Sequence, residues 1–388
     1  MSSTPTTGTR SGLFPSLLSS LDSRRDAVGY IGPNWFASVM GTGIVANAAA
    51  TLPLVSRQLH PFAIGVWVVA ASLLIALTIA ATMHLVRHPK TARGHAQDPT
   101  MAQFFGAPPM ALMTVGTGTL LLGSSVIGQH AAVDADWVLW SLGTITGLIT
   151  AVTIPFLLFT QHEVRPDAAF GGWLMPVVPP MVSAANGALL ISHLSSTSGR
   201  ATLLYGCYAM FGLSLIAALI IITLIWSRLA HYGTSGTARV PTLWIVLGPL
   251  GQSVTAAGLL GTQAHLAVAP SIAAALDTMA ILYGVPVFGF IVLWATLAAA
   301  LTVRTVRRGM GFALTWWSFT FPVGTCVTGT TQLALHTDLP AFRGAAVVAY
   351  VLLLSAWLTV AVRTGLGSYT GRLLSRPAPS GPVVPAKT

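Results

Sequence analysis

Apolar residues in this chain run together in long blocks, and the charged residues are confined to the gaps between them. Ten windows of at least 19 residues contain no Asp, Glu, Lys or Arg: 27–56, 58–86, 99–133, 137–162, 168–199, 201–227, 240–276, 278–303, 309–337 and 344–362. About 20 mainly apolar residues suffice for a helix to cross the hydrocarbon core of a bilayer, so each window predicts one span with its interfacial flanks. The predicted cores are 34–52, 62–85, 108–127, 137–159, 173–193, 202–226, 242–262, 278–302, 313–335 and 344–362. Short gaps join them into consecutive antiparallel pairs. The fold class this predicts is an all-α integral membrane protein of ten transmembrane helices, paired as five hairpins.

Odd- and even-numbered spans differ in kind. The odd ones are rich in Pro, Gly, Ser and Thr, with a proline followed several residues later by small residues: Pro33 and Gly41, Pro108 and Gly116, Pro179 and Gly187, Pro249 and Gly258, Pro322 and Gly329. Spans two, six and ten contain no proline and read as continuous apolar runs such as LSLIAALIIITLIW. A proline inside a helix frees a backbone carbonyl and kinks the chain, which lipid does not tolerate unless neighbouring helices, hydroxyls or water compensate. Five kinked, hydroxyl-bearing helices are therefore expected inside the bundle, with their smoother partners against lipid. Repetition of the contrast in all five pairs predicts an inner ring of helices around a central pore. Helical spacing selects Ser38 and Thr42, Thr114 and Thr117, Ser183 and Asn186, Gln252 and Thr255, and Phe321, Thr325 and Thr328 as lining positions. Small residues at these positions also allow plain close packing of helices.

Composition agrees with the pattern. Of 388 residues, 54% are hydrophobic and only 7% charged, against about 25% charged in a soluble domain. That excludes an ordinary soluble enzyme and a disordered chain. The net charge of +10 raises the question of nucleic acid, and the distribution of the charge answers against such a partner. Sixteen of the 19 basic residues fall in the two tails and on one set of alternate loops, and three, Arg57, Arg200 and Arg343, on the other. The positive-inside rule then puts both termini in the cytoplasm of a multi-pass protein of the cell membrane. Cys207 and Cys326 lie inside apolar runs, where a thiol behaves as a small hydrophobe. Trp35, Trp137, Trp140, Trp173, Trp226, Trp316 and Trp317 cluster near span ends, the pattern of an interfacial aromatic belt.

Three regions follow. Residues 1–30 form a cytoplasmic tail with a short interfacial helix at 12–21, where Phe14, Leu17, Leu18 and Leu21 share one face. Residues 31–365 form the ten-helix transport domain. Residues 366–388, rich in Pro, Ser and Gly toward the end, form a disordered cytoplasmic tail.

The segments GPNWFASVMGTGIVANAAATLP (32–53), GGWLMPVVPPMVSAANGALL (171–190) and WWSFTFPVGTCVTGTTQLAL (316–335) resemble the tellurite-resistance/dicarboxylate transporter family. That family includes the plant guard-cell slow anion channels, bacterial tellurite-resistance proteins, the yeast sulfite efflux pump and a yeast malate permease. The resemblance covers roughly residues 30–365. It implies ten helices as five quasi-symmetric hairpins around a central pore lined by the odd helices, and a homotrimer with one pore per protomer. In the family a phenylalanine on the ninth helix occludes the pore, which falls here on Phe321 in WSFTFP, with Phe319 the competing choice if the register shifts by two. Sulfite and C4-dicarboxylates such as malate are the implied cargo, with chloride, nitrate or tellurite-related anions behind.

No acidic side chain lies in a predicted span core, and no Lys or Arg does either. A neutral passage with a basic cytoplasmic mouth suits anions that shed water readily. A proton-coupled C4-dicarboxylate transporter, the competing reading, would bury a titratable group, and the span cores hold none beyond terminal histidines such as His193, His265 and His336. Asp277 reads as a cap or interface residue at the outer edge of the eighth span. His84 and His88, four apart, have a spacing that can hold a metal, yet no carboxylate or thiolate adjoins them. Neither a metal site nor a cofactor is predicted. A membrane enzyme would need a buried nucleophile, acid or metal constellation, and none is legible.

Overall fold

The computed structural model describes residues 28–234 and 236–375; the predicted helix at 12–21 and the tail from 376 onward lie outside the described residues. All regular structure among the described residues is helical. In chain order the α-helices are α1 (Phe36–Thr51), α2 (Ser56–Arg87), α3 (Pro89–Gln97), α4 (Ala107–Leu122), α5 (Ser124–Ile127), α6 (Gln129–Thr160), α7 (Pro179–Leu190), α8 (Thr197–Tyr232), α9 (Gly236–Arg239), α10 (Leu247–Gln263), α11 (Pro270–Val306), α12 (Phe321–Thr337) and α13 (Pro340–Tyr369).

The helices that build the bundle fall into two classes by length. α2, α6, α8, α11 and α13 run for 30 to 37 residues, roughly 45–55 Å at about 1.5 Å per residue, so each outreaches a bilayer core. α1, α4, α7, α10 and α12 run for only 12 to 17 residues. Each of these has a 3-10 segment just before it: Pro33–Trp35, Ala102–Gly106, Gly171–Leu174, Val240–Val246 and Leu314–Phe319. Among the described residues seven helical stretches are long and apolar enough to cross a membrane, namely α2, 102–122, α6, α8, 236–266, α11 and α13. Among the described residues α1, α7 and α12, at 16, 12 and 17 residues and carrying more polar side chains, fall outside this set.

The prolines explain the short class and correct the sequence reading. Pro33 opens the first 3-10 segment, Pro108, Pro179 and Pro322 occupy the first turn of α4, α7 and α12, and Pro249 is the third residue of α10. The first N–H groups of a helix have no intrahelical partner, so a missing donor there costs nothing. These five prolines start helices and do not kink them. The prolines inside helices are Pro61 in α2, Pro155 in α6 and Pro286 in α11.

α1, α4, α7, α10 and α12 close a ring: each packs on the next, and α12 returns to α1. Every member also packs against the long helix that follows it, α2, α6, α8, α11 or α13. Burial follows this division, with 89% of the most apolar window of 236–266 buried against 17% of that of α6. The outer helices carry Ile75, Ile79, Val152, Phe156, Phe159, Ile216, Leu282 and Val351 exposed. Such a continuous apolar surface is unfavourable in water and suited to lipid.

Two devices hold the ring together. One is close approach: a Cβ on Gly251 of α10 would lie 2.6 Å from the backbone nitrogen of Cys326 on α12, so only glycine permits that separation. The other is a set of tryptophans that reach inward from the outer helices. Trp67 donates to the Thr119 hydroxyl (3.1 Å), Trp140 to the Ser183 carbonyl (2.9 Å), Trp294 to the Leu243 carbonyl (2.9 Å) and Trp357 to the Thr42 hydroxyl (3.1 Å). Each such bond contributes about 1 kcal/mol beyond the burial of the ring. The interfacial-belt reading is corrected for Trp140, tied to Ser183, and for Trp35 and Trp317, which are buried.

Candidate functional site

Two cavities lie inside the ring. The larger, about 70 Å³, is big enough for several waters, since one needs about 10–15 Å³. It is lined by one stripe of each ring helix: Ile44, Asn47 and Thr51 of α1; Thr114, Thr117 and Leu121 of α4; Val182, Ala185, Asn186 and Leu189 of α7; Gln252, Thr255 and Leu259 of α10; Phe321, Thr328 and Gln332 of α12. The spacing of three and four is that of one helix face. The smaller cavity, about 30 Å³, continues the stripes toward the 3-10 segments with Ala37 and Met40, Phe104 and Met110, Met175 and Val178, Ile245 and Gly248, and Leu314, Trp317 and Ser318. It is apolar where the first is studded with hydroxyls and amides. Phe321 is the one side chain that lines both.

Phe321 is the first residue of α12, immediately before Pro322, and is 3% exposed. Phe319, the competing choice, lies in the preceding 3-10 segment with its ring edge-on to Trp244 and Trp316 at 5.6 and 5.7 Å. It lines neither cavity.

Seven of the predicted lining positions, Thr114, Thr117, Asn186, Gln252, Thr255, Phe321 and Thr328, face the larger cavity. Thr255 and Thr328 join hydroxyls across α10 and α12 at 2.7 Å. The other four are corrected. Ser38 donates to the Trp35 carbonyl (2.7 Å), Thr42 accepts from Trp357, Ser183 pairs with the Thr144 hydroxyl, and Thr325 donates to the Pro322 carbonyl (2.7 Å). A hydroxyl in a helix can always be satisfied by a carbonyl of the preceding turn, so its presence does not tell which face is open. Asn47, Thr51 and Gln332 were missed, although Asn47 and Thr51 share the period of Ile44 and Gln332 that of Thr328.

Two asparagines clasp α4 from opposite sides. The Asn47 amide donates to the Thr114 carbonyl at 3.0 Å, and the Asn186 amide to the Met113 carbonyl at 3.2 Å. Asn186 also donates to Oδ1 of Asp136 at 3.1 Å. Asp136, one residue outside the predicted core 137–159, is fully buried, because α6 begins at Gln129, eight residues before that core; a span free of acid over its predicted core is thus not free of acid over its buried length. No charged side chain lines either cavity. At the far end of α12, His336 Nε2 lies 3.2 Å from Asp277 of α11, and His336 Nδ1 faces the Gln332 carbonyl at 2.8 Å.

A second histidine group lies apart from the cavities. The rings of His88 and His95 stack on the buried His84 at 5.9 and 5.2 Å, and His84 Nδ1 is 2.9 Å from the Val28 carbonyl. Burial first, then the charge of His84, hold the His95 imidazole below its ordinary value of 6.5, with Asp98 pulling the other way. Among the described residues no three His, Cys, Asp or Glu are grouped to hold a metal ion.

An uncharged cavity offering amide and hydroxyl groups, followed by an apolar neck, is suited to passing a small ion that sheds its water. The sequence comparisons point the same way. The chain is 27% identical over 354 residues to the sulfite efflux pump SSU1 of Trichophyton rubrum, covering 89% of this chain and 93% of that one. It is 24% identical over 359 residues to the uncharacterized transporter MJ0576 of Methanocaldococcus jannaschii, covering 92% and 99%, and 19% identical over 340 residues to the malic acid transport protein of Schizosaccharomyces pombe, covering 84% and 75%. Residues 30–365 match the family described as SLAC1, voltage-dependent anion channel. With a family match over that length and transporters as its relatives, this chain belongs to the SLAC1 family.

Proposed function

We propose that the chain passes small anions across the cell membrane along the axis of the five-helix ring, with Phe321 as the gate. Sulfite is the first cargo by similarity to the sulfite efflux pumps, and C4-dicarboxylates such as malate the second. The observation that carries the reading is that Phe321 alone borders both the polar and the apolar cavity. A bulky apolar ring at that point interrupts any hydrated path, and moving it joins the two spaces. The proposed membrane domain has ten spans, five inner and five outer, as the ring and its paired long helices support, with both termini cytoplasmic by the positive-inside count. A homotrimer with one pore per protomer is proposed from the family resemblance.

The test is flux into liposomes holding purified protein, with sulfite, malate, nitrate and chloride offered separately to wild type and Phe321→Ala. Uptake of sulfite or malate, raised in the variant, supports the reading. Uptake of nitrate and chloride alone would move the cargo to inorganic monovalent anions, and no uptake of any anion by either protein would overturn anion conduction.

A further inference from the structure

Asp136 is a buried charge-bearing group that the conduction path leaves unexplained. Its Oδ1 accepts from Asn186, and its Oδ2 is buried with no hydrogen-bond partner. Gly116 of α4 stands directly against it: a Cβ there would lie 2.4 Å from Oδ1, so the ring helix leaves room for this carboxyl by having no side chain. No cation faces it. Among the described residues the segments that pack most closely on α6, namely 102–106, α4, α5 and α7, contain no Asp, Glu, His, Lys, Arg, Cys or Tyr. On α6 itself the other titratable groups are His130 and Asp134, both exposed.

The carboxyl is separated from the anion path by a single amide. Asn186 lines the polar cavity, and its two N–H groups are spent on Met113 and Asp136. An ionised Asp136 therefore places an uncompensated negative charge just behind the wall where an anion would sit. By Coulomb's law, two unit charges about 7 Å apart at an effective dielectric of about 20 interact by an energy equivalent to roughly 50-fold in occupancy. A proton on the carboxylate removes that penalty, and linkage makes the effect reciprocal: an anion in the cavity favours the proton on Asp136 by the same factor.

We propose that Asp136 is a positioning residue that links anion occupancy of the polar cavity to uptake of one proton. When the anion enters, a hydronium ion of the bathing solution breaks one O–H bond and is left as water, its proton forms an O–H bond on the Asp136 carboxylate, and the added anion and proton together leave the net charge of the bundle unchanged. This inference rests on the anion pathway proposed above.

The test uses nitrate, which does not titrate in the working range, in liposomes holding the full chain. Wild-type flux is expected to rise by up to about 50-fold as pH falls from about 8.5 to 4.5. Asp136→Asn is expected to show the high flux at every pH, because the amide keeps the acceptor for Asn186 and carries no charge. If Asp136→Asn keeps the wild-type pH profile, or the wild type has none, the inference is overturned. Should that variant fail to fold, the infrared difference spectrum of wild type on nitrate addition reads the same proton, as a new protonated-carboxyl band; absence of the band overturns the proposal. A flat pH profile on robust flux defeats this inference alone. Loss of nitrate flux in every protein, Phe321→Ala included, defeats the pathway as well.

Discussion

Shortening Phe321 should open the path by an amount that its surroundings fix. The ring is 3% exposed, and complete burial of a phenylalanine contributes about 1.5–3 kcal/mol. Because Phe321 is the first residue of α12 and precedes Pro322, its backbone is committed to the helix start, and opening has to come from rotation of the side chain out of its site. A cost of about 1.5–3 kcal/mol corresponds to a closed state favoured by roughly 10- to 150-fold. Phe321→Ala removes the ring and should raise nitrate flux in liposomes by that factor, with Phe321→Leu between. The stability loss should sit at or below the low end of the usual 3–5 kcal/mol for Phe→Ala, because cavities of about 70 and 30 Å³ adjoin the ring and it forfeits fewer contacts. Fluorescence quench of an entrapped dye reads the flux, and thermal unfolding in detergent the stability. A rise of less than about threefold in a folded variant, well short of the burial energy, would refute the gate and move the barrier to the apolar cavity around Met40, Met110 and Met175.

Three further outcomes follow from the same contacts. Gly251→Ala puts a Cβ 2.6 Å from the backbone of Cys326, so α10 and α12 must part at about 1–3 kcal/mol; an unchanged unfolding midpoint would mean the two helices are not that close. Asn47→Ala removes the amide bond to the Thr114 carbonyl and should cost about 1 kcal/mol, with equal resistance to denaturant arguing that the clasp is idle. His95 is held below its ordinary 6.5 in the folded chain by burial and by His84. The unfolded chain therefore takes up this proton first, and stability should fall as pH drops below about 6.5. His95→Gln should flatten the unfolding midpoint across that window, and an unaltered slope would assign the pH dependence elsewhere.

Much of this protein was legible before any coordinates. A chain with 7% charged residues gathered between long apolar runs has to be helical and membrane-embedded, because lipid leaves backbone groups no partners but each other. The contrast between proline-bearing and smooth runs marked α1, α4, α7, α10 and α12 as one class, and the segment around Phe321 carried the family resemblance. The rotational setting of each helix was not legible. Ser38, Thr42, Ser183 and Thr325 look like Thr114 and Thr328 in the sequence, since any of these hydroxyls can find a carbonyl of its own helix; only closure of the ring decides which face the cavity. The prolines were found by composition but misread, because whether a proline bends a helix or begins one depends on where the preceding 3-10 segment ends. Asp136 escaped altogether, since counting charge-free windows places every charged residue outside the membrane by construction. Whether a charge is buried depends on neighbours in space, and those of Asp136 are Gly116 and Asn186, on two other helices.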